Sequence, residues 1–91
     1  MELKGKIKLI NDLSNESIQK KQLVITIDGQ YPKDIAIDFI KEQKVALLDS
    51  ASVGQIATVK INIQSREYQG KWYTNINGWA VALENDLLGD L

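Results

Sequence analysis

The chain has 91 residues, a formal net charge of −1, and neither Cys nor His. Its 44% hydrophobic and 25% charged residues, with a single Pro, describe a folded globular domain and exclude a disordered or collagen-like chain. Lack of Cys removes disulfides, thiolate metal sites and thiol nucleophiles, and lack of His removes the commonest general base and metal ligand.

Residues 2–10 alternate polar and apolar with period two, which predicts a strand. Lys4, Lys6 and Lys8 fall on its solvent face and Leu3, Ile7 and Leu9 on its inner face, and Gly5 predicts a bulge or sharp bend. Residues 12–20 are polar and turn-rich and read as a loop. A second strand over 21–28 turns Leu23, Ile25 and Ile27 inward. Asp28-Gly29-Gln30-Tyr31-Pro32 is a turn that Tyr31 is expected to anchor. A third strand over 34–39 turns Ile35, Ile37 and Phe39 inward.

The period then changes. Residues 41–49 are strong helix formers, with Val45, Leu47 and Leu48 on one side, and predict a short helix closed by Ser50–Gly54. A fourth strand over 55–66 alternates Val59, Ile61 and Ile63 with Lys60, Asn62 and Gln64. Gln69-Gly70 is a hairpin turn, and residues 72–83 form the fifth strand, with a bulge expected at Gly78. Three strands, a short helix and two strands make an all-β protein whose expected form is the five-stranded Greek-key barrel of the OB-fold. Closure would also remove exposed strand edges.

The hairpin carries the most information. A turn centred on Gln69-Gly70 pairs Tyr68 with Lys71, Arg66 with Tyr73 and Ser65 with Thr74. One face then holds Asn62, Gln64, Arg66, Tyr68, Lys71, Tyr73, Asn75 and Asn77. The other holds Ile61, Ile63, Trp72, Thr74 and Ile76 and is assigned to the core. Trp79 shares the face of Tyr73 unless a bulge at Gly78 sends it inward. Phenol rings stack on bases, cations neutralise phosphates, and amides can hydrogen-bond exposed base edges. Arg66, Tyr68, Lys71, Tyr73 and Asn75, with Lys20 and Lys21, are therefore the candidate nucleic-acid contacts. The outward face of strands two and three, with Asp28, Asp34 and Asp38 and no aromatic, is a poor platform for a polyanion.

No catalytic constellation, metal site or cofactor motif emerges. Asp34 and Asp38 read as solvated carboxylates, and Ser50 and Ser52 have no His partner, so the chain is expected not to be an enzyme. Residues 1–83 form one domain and 84–91, with Glu84, Asp86, Asp90 and three Leu, form an acidic tail that suits a protein partner. Without that tail the chain holds 11 basic and 9 acidic side chains. No apolar run of about 18 residues exists and the N-terminus is charged, so no membrane segment or signal peptide is expected and the protein is placed in the cytoplasm.

The segments Gln30-Tyr31-Pro32-Lys33, Val53-Gly54 and above all Ser65-Arg66-Glu67-Tyr68-Gln69-Gly70-Lys71-Trp72-Tyr73-Thr74-Asn75 resemble a family of short, uncharacterised bacterial proteins, a domain of unknown function. The opening Met1-Glu2-Leu3-Lys4-Gly5-Lys6 is similar too, and the resemblance covers about residues 1–83. It implies an OB-fold distantly related to single-stranded DNA-binding proteins. The family tends to have a Gly- and Lys-rich loop where this chain has Ser14-Asn15-Glu16-Ser17, and bases near Asn77 and Ala80. Two functions compete: binding of single-stranded DNA or RNA through the hairpin, or a protein-interaction module using the same face or the tail. A homodimer is compatible with either. Salt separates them, because nucleic-acid binding weakens steeply as salt rises and association through aromatic anchors does not.

Overall fold

The computed structural model describes residues 1–84. The elements follow the chain as β1 (Glu2–Asp12), β2 (Lys20–Ile27), β3 (Lys33–Ile40), a four-residue helix α1 (Glu42–Val45) continued by a 3₁₀ turn (Ala46–Leu48), β4 (Ile56–Tyr68) and β5 (Lys71–Glu84). The strands form one closed five-stranded sheet in the order β1-β2-β3-β5-β4, closed by pairing of β4 with β1. All contacts between neighbours are antiparallel except β3 with β5, which meet at Asp38 and Asn77.

The alternating apolar positions build the core. Ile7, Leu23, Ile25, Ile37, Phe39, Ala57, Val59 and Ile61 are essentially inaccessible to solvent. Val45 and Leu48 add the apolar side of α1 and its 3₁₀ extension, while Leu47 stays exposed. Each large side chain so buried contributes roughly 1.5–3 kcal/mol relative to exposure. No disulfide assists, so this cluster is the main source of stability.

Irregularities in β1 and β5 set where side chains point. In β1 the register shifts between Ile7 and Leu9, so Ile10, rather than the expected Leu9, packs against the core. Gly5 is not the bulge. It lies where β1 passes from β4 to β2, and a Cβ there would meet the Thr26 carbonyl oxygen at 2.7 Å. In β5 the register shifts opposite Lys60 and Ile61, and Trp79 is the extra residue. Gly78 pairs with Ile61 and faces inward, where a Cβ would come within 2.3 Å of Phe39 Cζ. Glycine there makes room for the phenyl ring at the centre of the core. The bulge expected at Gly78 is thus present, but it leaves Trp79 43% exposed instead of sending it inward.

Strands β4 and β5 are longer than the sheet needs. β1 pairs with β4 only as far as Lys60, with one further hydrogen bond from Ile61 N–H to the Met1 carbonyl at 2.9 Å. Beyond Ile61 and Asn77 the two strands pair only with each other among the described residues, as a two-stranded arm. The molecule is accordingly 54 Å long and 19 Å thick. Closure of the sheet therefore does not remove every edge, as the sequence reading expects it to. Nor do Trp72 and Ile63 enter the core: they are 68% and 49% exposed, because among the described residues the arm has no second layer to cover that face. Thr74 is exposed with them, its hydroxyl 2.9 Å from that of Ser65. Tyr31, the expected turn anchor, is 76% exposed. Glu84, counted with the tail in the sequence reading, is the last residue of β5, pairs with Ile56 and meets Lys4 at 2.8 Å. Residues 85–91, with the rest of the tail, lie outside the described residues.

Candidate nucleic-acid interface

The arm is closed by a two-residue turn with positive φ at both centres, 52° at Gln69 and 78° at Gly70. That is the type I′ geometry, whose twist matches paired strands. It fixes the register Tyr68–Lys71, Arg66–Tyr73, Gln64–Asn75 and Asn62–Asn77. Because side chains alternate, these pairs share one face. Five of the seven candidate contacts, Arg66, Tyr68, Lys71, Tyr73 and Asn75, are therefore side by side and exposed. Four of them, with Glu67, line one open cleft, and Gln64, Ser65, Arg66 and Asn75 line the next. The single carboxylate of the arm, Glu67, belongs to the opposite face, across from Trp72.

Lys20 and Lys21 are placed elsewhere, at the start of β2, and line neither cleft. Lys20 Nζ lies 3.7 Å from Asp38 and Lys21 Nζ 3.8 Å from Asp49. The β2–β3 surface is likewise internally neutralised. Lys8 donates to Asp34 at 2.6 Å, and the Thr26 hydroxyl donates to the other oxygen at 2.7 Å. These bonds hold the Asp34 carboxyl below its usual range, the Lys8 bond having the larger effect. Hydrogen bonds from Ser14 do the same for Asp12. Such exposed pairs add little to stability because solvent screens them, but they spend the lysines' charge locally. Among the described residues no carboxylate comes within ion-pair distance of Arg66 or Lys71, so the arm's cations are available to an outside anion.

At the foot of the arm the Asn62–Asn77 pair meets the closed sheet. The Asn77 side-chain oxygen is buried there with no hydrogen-bond partner among the described residues. Trp79 stands beside it, with Lys60 Nζ 5.4 Å from its ring centroid, a cation–π contact. Alternation alone does not fix the phase of a bulge, so the sequence does not decide which way Trp79 points. Among the described residues no cluster of His, Cys, Asp or Glu could hold a metal ion. Among the described residues no helix is long and apolar enough to cross a membrane.

The described fold is shared with a solved structure. A small single-stranded DNA-binding protein from Streptomyces coelicolor superposes with a TM-score of 0.63, over 96% of this chain and 94% of that one, at 9% sequence identity. At that identity the likeness is one of fold. No curated protein matches the sequence. Residues 2–82 match the model described as "Domain of unknown function (DUF3127)", and the chain belongs to that family.

Proposed function

We propose that this protein binds single-stranded nucleic acid, DNA in the first instance, on the polar face of the β4–β5 arm, and that its closed sheet is an OB-fold barrel serving as the base for that arm. The observation that carries the reading is the gathering of Arg66, Tyr68, Lys71, Tyr73 and Asn75 on one exposed face, where Glu67 reaches the edge of the cleft but, among the described residues, no carboxylate pairs with Arg66 or Lys71. Tyr68 and Tyr73 supply π-faces for bases, at roughly 1–3 kcal/mol per stacked base. Arg66 and Lys71 supply charge for phosphates, and Asn75 a hydrogen-bonding amide. The fold likeness to a single-stranded DNA-binding protein supports the same reading. The site is that of a binding protein and not of an enzyme: phenols, amides and cations bind and orient, with no acid–base pair among them.

A second reading rests on the opposite face. Ile63 and Trp72 are exposed there beside Thr74, which suits docking of a protein, including another copy of this chain.

Fluorescence anisotropy with a labelled poly-thymidine strand separates the two. The nucleic-acid reading expects binding at low salt that falls steeply as salt rises, and a loss of about 5–150-fold for Arg66→Ala or Tyr73→Ala. Absence of binding at low salt would sink it and leave the Trp72 face as the candidate surface.

A further inference from the structure

The arm's polar face does not end where the arm does. Asn62 and Asn77 continue the row begun at Tyr68 and Lys71, and both line a hollow at the foot of the arm together with Lys41, Lys44 and Trp79. Among the described residues no carboxylate lines this hollow; Glu42 lines the neighbouring one beside Ile18, and Asp38, the strand partner of Asn77, lies 3.7 Å from Lys20 Nζ. Among the described residues neither Lys41 nor Lys44 has a carboxylate within ion-pair distance. The hollow thus repeats, on different elements, the combination found on the arm: cations, an aromatic ring and amides.

Lys41 adds an independent observation. Its backbone sits at φ 79° and ψ 148°, a region that only glycine occupies readily. It is held there by its N–H donating to the Gln19 carbonyl at 2.9 Å, while its own carbonyl accepts from Lys44 and Val45. Glycine would serve this corner with less strain, so the lysine side chain is retained at a cost to stability. Strain of this kind is found where a side chain has work to do.

We propose that the hollow formed by Lys41, Lys44 and Trp79 at the foot of the arm is a second subsite for the same nucleic-acid strand, with Trp79 stacking a base and the two lysines holding its phosphates. This rests on the reading of the arm as a single-stranded nucleic-acid site and lengthens that site onto the closed sheet. From Tyr68 to Asn62 the arm alone spans about 20 Å, at roughly 3.3 Å per residue. Adding the hollow brings the path into the range of about 4–16 nucleotides that a single OB-fold covers.

The test uses the full chain in a Trp72→Phe background, so that Trp79 is the one tryptophan, titrated with a 16-nucleotide poly-thymidine strand. Binding should quench Trp79 emission. Lys44→Ala should weaken binding about three- to tenfold and lower the slope of log K against log salt by about one. Lys41→Gly should weaken binding similarly while raising the denaturant midpoint of the free protein, a pairing that a purely structural lysine would not give. If Arg66→Ala weakens binding but Lys41→Gly and Lys44→Ala leave affinity, salt slope and Trp79 emission unchanged, the subsite is overturned and the arm survives. If the parent chain binds no strand at low salt, the reading of the arm falls and the subsite with it.

Discussion

β4 and β5 each live in two environments. In their inner halves Ala57, Val59, Ile61 and Gly78 are buried, whereas in their outer halves every residue from Asn62 to Asn75 is exposed, although alternation runs through both. The local pattern is the same; what differs is whether a second layer lies opposite. Around the inner halves the sheet closes on itself, and around the outer halves there is only the other strand of the pair. Period-two alternation reports which side chains share a face, but says nothing about what that face meets.

Mutations should break that comparison in order of size. Phe39→Ala, at the centre of the inner region, is expected to cost about 3–5 kcal/mol in chemical denaturation. Gly78→Ala should cost about 1–3 kcal/mol, because its methyl group must displace the Phe39 ring. At the arm's turn, Gln69→Asn relieves a left-handed residue and should strengthen the hairpin by up to about 1 kcal/mol. That gain should appear as slower amide exchange in residues 62–77 and hardly at all in the global midpoint. Trp72→Ala should change global stability by less than about 0.5 kcal/mol. A loss like that of Phe39→Ala would mean that the two halves are one cooperative unit with a covered arm. The smallest effect is on acid stability. Asp34 titrates lower in the folded chain than in the unfolded one, so its contribution is complete above the ordinary carboxylate value near ~3.9 and is lost as pH falls through the lower folded value. Asp34→Asn should flatten that acid limb, and an unchanged limb would remove Asp34 from it.

Much of this was legible beforehand. The element order, the hairpin register and the inward sets of β2 and β3 follow from alternation, turn residues and one change of period. What was not legible depends on phase and on layers. The bulges at Lys8 and Trp79 reset the alternation, moving Ile10 for Leu9 and holding the Trp79 ring at the surface. Trp72 looks like core because tryptophan on an apolar face usually is, and only the three-dimensional path of the arm shows that none of the described residues covers it. The candidate site divides in the same way. The arm's five residues are neighbours in a hairpin and hence readable from the sequence, whereas Lys41, just before α1, and Lys44, within it, are brought beside Asn62 and Asn77 only by the closed sheet.

Among the described residues both edges of the arm are unpaired, which matters for the protein in crowded solution. Odd-numbered residues of β4 direct their backbone groups away from β5, as the Ile61 to Met1 bond shows, so Ile63, Ser65 and Glu67 offer a row of open donors and acceptors. Such a row is a template on which another chain can add a strand and go on to aggregate. Arg66, Glu67 and Lys71 guard against that, since charge on an edge discourages addition. Variants that strip these charges to map a ligand would also unguard the edge, so solubility at high concentration becomes a second trait that selection on this short hairpin has to satisfy.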